Sequence, residues 1–338
     1  MPTPDSVVEN GTRLWGRLDD RPRTVNPLDA YSGPARAWHA FRLKEWVGFT
    51  LAHGELFSAM IMQDAKYLAS SEFYVYDREW RTLHEYAGSA RGGSLALPAD
   101  LLHGGACRFA SDGYRIDYDF DTDAGCHRIR IDIAASAKAP AVRGELLLDA
   151  AGASAPLSVS ARLGGGGTMY THKAVFPASG TLTVGGHEYR FDPQRDFAIL
   201  DEHRSELPYR STWTWGTFAQ RCADGSIAAA NFCARPQPDG EEEESGLWLD
   251  GRAEPLSDVT FEPASDDPLA PIAVRSADGR LDVEFVPEGR KGVRQNFGVV
   301  AVRYHQLFGA YRGRIGAGEA ARSIDGAHGV VERMLMRA

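Results

Sequence analysis

Cysteine is scarce in this chain: four thiols stand among 338 residues, and Cys107, Cys126, Cys222 and Cys233 form no Cys-x-x-Cys pair and no metal-ligand spacing. That excludes a disulfide framework and reads as reduced thiols packed as small hydrophobes. Cys222 and Cys233 flank an expected turn at Asp224-Gly225, so a cross-strand bridge between them is the one pairing left open. Basic charge is also short. With 37 Lys and Arg against 46 Asp and Glu the net charge is −9, which argues against a nucleic-acid groove or an anionic membrane surface as partner. No apolar run reaches the about 18 residues of a spanning helix, and MPTPDSVVENGTRLWGRLDD lacks a basic start followed by an apolar stretch, so a cytoplasmic location is expected. Helical periodicity is rare, the best candidate being a short helix over residues 96–105. Nor is there a nucleotide or cofactor motif: the run Gly164 to Gly167 has no GxxxxGK[ST] setting, and no Ser or Cys sits in a nucleophile elbow.

What remains is strand after strand. In YRIDYDFDTDAGCHRIRIDI, Tyr114, Ile116, Tyr118 and Phe120 alternate with charged residues, turn near Asp123 to Gly125, and alternate again through Ile129, Ile131 and Ile133. Further hairpins are expected with turns at His53-Gly54, Asp77 to Glu79, Gly185-Gly186 and Asp278-Gly279, where glycine supplies positive φ. An all-β antiparallel meander must close its edges, and an up-and-down order favours barrels. The length favours two domains, divided at the glycine run into residues 1–165 and 166–338. Glu241 to Glu244, after Pro236 and Pro238, reads as a solvated loop.

Chemistry concentrates in DFAILDEHRSELPYRSTWTWGTF, residues 196–218. On a strand Asp201 and His203 share one face with Ile199, while Glu202 and Arg204 share the other. Tyr209, Ser211, Trp213, Trp215 and Thr217 also fall on one face. An acid, an imidazole, a phenol and two indoles suit a mostly apolar small-molecule pocket, although the same residues also read as a strand end and core fill. His172 and Lys173 form a secondary pair, otherwise a solvated strand edge; Tyr304, His305 and Gln306 would close the same barrel. No metal is expected, because Asp201-x-His203 offers two ligands and no third at recognisable spacing.

The segments THKAVFPASGTLTVGGHEYRFDPQRDFAILDEHRSELPYRSTWTWGTF, YHQLFGAYRGRI, GVVER and RAWHAFRLKEWVGFTL resemble an uncharacterised bacterial family, distantly akin to the carotenoid hydratase (hydroxyneurosporene synthase) and AttH-like proteins. The resemblance implies two lipocalin-like (calycin) antiparallel β-barrels in tandem, with an apolar ligand cavity. The hydratase segment reads roughly Tyr-His-Asp-His-Asn-Trp-Gly; here Asp201 and His203 match its acid and imidazole, and Trp215-Gly216 is a shifted match for Trp-Gly.

The expected function is that of a cofactor-independent lyase or isomerase acting on a hydrophobic alkene such as an isoprenoid. Asp201 would be an acid with a pKa raised by burial, His203 its relay or base, and Trp213, Trp215 and Tyr209 the aromatic wall facing a developing cation, an attraction of about 2 kcal/mol or more when desolvated. Hydratase, dehydratase, isomerase and cyclase chemistry all turn on such proton transfer. The alternatives are a non-catalytic carrier of hydrophobic metabolites, whose polar pair orients a ligand, and a structural protein with filled barrels.

Overall fold

The computed structural model describes residues 4–236, 238, 240, 241, 243–296 and 298–337. Period-two alternation becomes strands with one buried face. Tyr114, Ile116, Tyr118 and Phe120 are buried, as are Ile129, Ile131 and Ile133 of the neighbouring strand, and Ile131 lies opposite Ile116 in an antiparallel pair. The turns at Gly54, Gly125, Gly185-Gly186, Gly225 and Gly279 each separate two paired strands. The fold is all-β, with two curled antiparallel sheets of tandem lipocalin type.

The chain divides into two compact units, one running to Ser160 and including Met169–Glu206, the other comprising Ala161–Thr168 and the chain from Leu207 on. A division at the glycine run would hand Gly167–Val184, His187–Phe191 and Phe197–Glu206 to the second unit. These strands instead complete the first unit's sheet, where Phe197–Glu206 pairs with Lys44–Ala52 and Gly167–Val184 pairs with Val142–Asp149. The strand path of that sheet begins at Thr82–Arg91 and ends at His103–Ser111. Its two ends lie side by side, since a Cβ on Gly88 would come within 2.5 Å of the Phe109 ring. Among the described residues the second unit's sheet runs through nine strands, from Arg252–Pro255 at one edge to Val259–Pro263 at the other.

Residues 96–105 are not helical; the chain turns there and enters the strand His103–Ser111. The reason lies in where the backbone carbonyls go. Leu97 and Pro98 accept from Arg204, and Ala99 accepts from Arg21, so these oxygens are taken by guanidinium groups rather than by a helix's own N–H groups. Among the described residues the one α-helix is Gly33–Arg42, with a proline in its first turn. None of its residues is buried, and Trp38 and Phe41, three residues apart on one face, are exposed.

The concave face of the first unit is packed, with Phe49, Phe73, Tyr118, Phe120, Leu146 and Phe176 in one core cluster. Glu202 and Arg204 follow Leu200 onto this face. Arg21 grips Glu202 with two bonds of 2.7 and 2.9 Å, and Arg204 bridges to Glu202 at 3.4 Å and to Glu45. Burial alone would raise the Glu202 carboxyl, but Arg21, its hydrogen bonds and Arg204 hold it down at about 2. His172 is driven the same way by burial, to about 3, with its Nδ1 2.7 Å from Ser158 Oγ.

These two groups set an acid limit. Both folded pKa values lie below the ordinary ones, so the stability they contribute is complete above those ordinary values and is lost as pH falls toward the folded ones. For His172 the loss begins near 6.5 and runs toward 3; Glu202 adds its own from 4.5 toward 2. Urea unfolding in pH steps is expected to show falling stability from pH 6.5 downward, with the upper part of the slope reduced in His172→Asn. A flat profile between these limits would contradict the assignment.

Candidate functional site

On the strand Phe197–Glu206 the side chains opposite to the packed face are Asp201, His203 and Ser205. The register sets Asp201 opposite Gly48 and His203 opposite Trp46. Gly48 brings no side chain beside the carboxylate, and a Cβ there would come within 2.5 Å of the Met60 carbonyl oxygen. Trp46 stacks on His203 with ring centroids 4.3 Å apart and donates its Nε1–H to Asp201 Oδ2 at 3.3 Å. Lys173 and Thr171 approach from the strand Gly167–Val184. The Lys173 ammonium donates to Asp201 Oδ1 and lies 3.1 Å from His203 Nε2, which Thr171 Oγ1 also approaches at 3.0 Å. His203 Nδ1 lies 3.4 Å from Ser205 Oγ.

His203 Nε2 thus faces the Lys173 ammonium, the Thr171 hydroxyl and, at 3.4 Å, Asp201 Oδ1. The Lys173 side chain is 1% exposed and that of His203 6%, whereas that of Asp201 is 26% exposed, so the carboxylate is the member most open to another molecule. Asp201 is thus ion-paired with the Lys173 ammonium and accepts from the Trp46 indole N–H.

The expected secondary pair separates. Lys173 joins Asp201 and His203, while His172, one residue earlier, faces the packed side with Glu202, as alternation requires. Trp46 and Thr171 were not among the expected residues; their pairing depends on register between strands far apart in sequence, which no local pattern reveals.

Tyr209, Trp213, Trp215 and His305 belong to the second unit. Trp213 donates to Glu332 Oε1 at 2.8 Å, and the same carboxylate accepts from Tyr304 at 3.1 Å and Gln306 at 3.3 Å. Trp215 is buried and donates to Asn231 Oδ1 at 2.9 Å. Tyr209 is half exposed, with its hydroxyl on the Val299 carbonyl at 2.8 Å. His305 points to the other face of the same sheet, since neighbouring residues alternate.

Cys233, Glu243 and Glu244 come within 4.8 Å of one another. Arg235 occupies that cluster, bonding to Glu243 and, at 2.7 Å, to Glu244, so the end of the expected solvated loop is a buried ion pair. Glu242 lies outside the described residues. None of the four cysteines is in a disulfide; Cys233 stands opposite Trp215 while Cys222 sits at the turn beside Ser226, at the two ends of one hairpin, which precludes a bridge. Among the described residues no helix is long and apolar enough to cross a membrane.

No curated protein sequence matches the chain. Three solved structures resemble it. CghA, determined with Sch210972, has a TM-score of 0.57 at 12% identity, covering 87% of this chain and 88% of its own. An AttH-like protein of Nitrosomonas europaea (NE1406) has a TM-score of 0.50 at 16% identity over 91% of this chain and 95% of its own. Kievitone hydratase from Nectria haematococca has a TM-score of 0.47 at 10% identity, covering 86% and 88%. The first two similarities agree with the tandem-barrel architecture and concern the fold, which hosts more than one activity. In sequence, residues 16–337 match a single family, so the chain belongs to the domain-of-unknown-function family DUF2804.

Proposed function

We propose that the chain is an acid–base catalyst of lyase or isomerase type, working without a cofactor on a hydrophobic small molecule whose alkene is conjugated to a carbonyl. The observation that supports this is the Lys173–Asp201–His203 cluster beneath Trp46, in which the carboxylate is the most open member. Protonating an isolated alkene needs a strong neutral acid, whereas Asp201 here is ion-paired with an ammonium. A conjugated carbonyl needs instead a base and a nearby positive charge.

Asp201 fits the base. Its carboxylate takes a proton from the carbon γ to the carbonyl, and the C–H electron pair moves through the alkene onto the carbonyl oxygen as a dienolate. The resulting carboxylic acid returns the proton to the α carbon, which isomerises the alkene out of conjugation; in the dehydration that forms such an alkene, the carboxylate takes the α proton of a β-hydroxy carbonyl and hands it to the departing hydroxyl, which leaves as water. Lys173 keeps a positive charge beside the developing anion and links the carboxylate to His203. The Trp46 indole offers the apolar surface against which an isoprenoid-like or polyketide-like skeleton would lie.

The test is native mass spectrometry of the protein purified from its own host, beside an Asp201→Asn variant. The variant is expected to hold an alkene-bearing compound that the wild type converts. If both carry the same unchanged compound, Asp201 is no catalyst and a carrier of hydrophobic metabolites replaces the enzyme.

A further inference from the structure

In the second unit the strands Arg210–Arg221, Arg322–Arg337, Ala301–Ile315 and Leu281–Asn296 lie side by side. Their core-facing side is apolar as far as Leu307 and Val331, which belong to the unit's core cluster. Beyond that row the same face turns basic. Arg333 stands opposite His305, then Arg294 opposite Arg303, then Arg337 opposite Arg210. No acidic residue lies in these rows across the four strands. Among the described residues Arg210, Arg294, Arg303 and Arg337 have neither an ion pair nor a side-chain hydrogen bond. They line an open groove of about 560 Å³ together with Ser211 and Asn296.

Like charges directly opposite on paired strands are destabilising. The first unit shows how this chain otherwise builds a charged sheet face: Arg130 lies between Asp117 and Glu145, and Asp132 between Arg115 and Arg143. There the signs interleave and pair, with Arg130 2.7 Å from Asp119 and Arg143 3.4 Å from Asp132. Arg275, Arg280 and Arg322 of the second unit also have carboxylate partners. The groove departs from that pattern. His305, at its inner end, is held below its ordinary pKa by burial and by Arg290 and Arg333.

We propose that this groove binds a compact polyanion, a small molecule carrying a diphosphate or two adjacent phosphoryl groups. Adjacent strands are about 4.8 Å apart and alternate residues along a strand about 6.6 Å apart, so four guanidinium groups on two rows can surround one diphosphate. Guanidinium forks match phosphoryl oxygens two at a time. A long nucleic acid fits less well, because the chain's net charge of −9 repels it, whereas screening beyond about 8 Å leaves a compact anion in the groove to the local field. The proposal is independent of the Asp201 cluster.

The experiment is calorimetric titration of the full chain with inorganic pyrophosphate, inorganic phosphate and a short single-stranded oligonucleotide, at physiological salt. Saturable binding of pyrophosphate, tighter than phosphate, is expected, and Arg303→Gln or Arg210→Gln should weaken it about tenfold or more. Arg275→Gln, a paired arginine outside the groove, should leave it unchanged. Thermal melting without ligand provides a second readout: each groove variant should melt at or above the wild type, as repulsion is relieved, while pyrophosphate should raise only the wild-type midpoint strongly. Absent pyrophosphate binding, equal binding by the groove variants, or tighter binding of the oligonucleotide would overturn the proposal.

Discussion

Arg21→Ala is expected to lower the stability of the protein by about 3–5 kcal/mol, the cost of leaving a buried carboxylate without its main partner. Arg21 and Glu202 side chains are each 2% exposed, and the guanidinium makes two bonds to the carboxylate and others to the carbonyls of Pro22 and Ala99. Arg204 remains near Glu202, but at 3.4 Å and already shared with Glu45, Leu97 and Pro98, so it cannot take over. Against a typical stability of about 5–15 kcal/mol this loss is large. A double change, Arg21→Met with Glu202→Leu, should recover much of it, because removing both charges leaves nothing buried and unpaired. Urea denaturation followed by circular dichroism measures both. A loss below about 1 kcal/mol for Arg21→Ala would mean that water reaches Glu202 when the guanidinium is gone.

Much of this was readable from residue order, and the failures share one cause. Alternation placed Tyr114, Ile116, Tyr118 and Phe120 on one face and turned Asp201 and His203 away from Glu202 and Arg204, because both statements depend on neighbours within one strand. Which side would carry the buried charge depended on partners elsewhere: Arg21 precedes Glu202 by 181 residues, and Lys173 precedes Asp201 by 28. The glycine run looked like a boundary because four glycines interrupt any pattern, yet the chain beyond it returns to the first sheet through the 18-residue strand Gly167–Val184. Trp213 and Trp215 did share a face, but as partners of Glu332 and Asn231. The helix Gly33–Arg42 was hidden because it is short, leaves its Trp38 and Phe41 exposed and runs almost without a break into the strand Lys44–Ala52.

Asp201→Asn is expected to reduce turnover by about 10²–10⁴-fold, the usual contribution of a positioned proton-transfer group, with the compound trapped by that variant serving as substrate. Amide for carboxylate preserves shape, and Trp46 Nε1 can still donate to the remaining oxygen. Lys173→Met separates catalysis from mere architecture. The thioether fills a site that is 1% exposed, but the positive charge between Asp201 and His203 is gone, so a developing enolate loses its counter-charge. Turnover should therefore fall by about 10²–10³-fold while KM and the thermal midpoint change little. In the carrier reading neither variant has a rate to lose, and each should change only affinity. If Lys173→Met lowers turnover only as far as it lowers stability, Lys173 supports the fold around Asp201, and another group must stabilise the enolate oxygen. If turnover falls in a folded Lys173→Met variant and Asp201→Asn is inert, the carboxylate is the base and the ammonium beside it serves the developing anion.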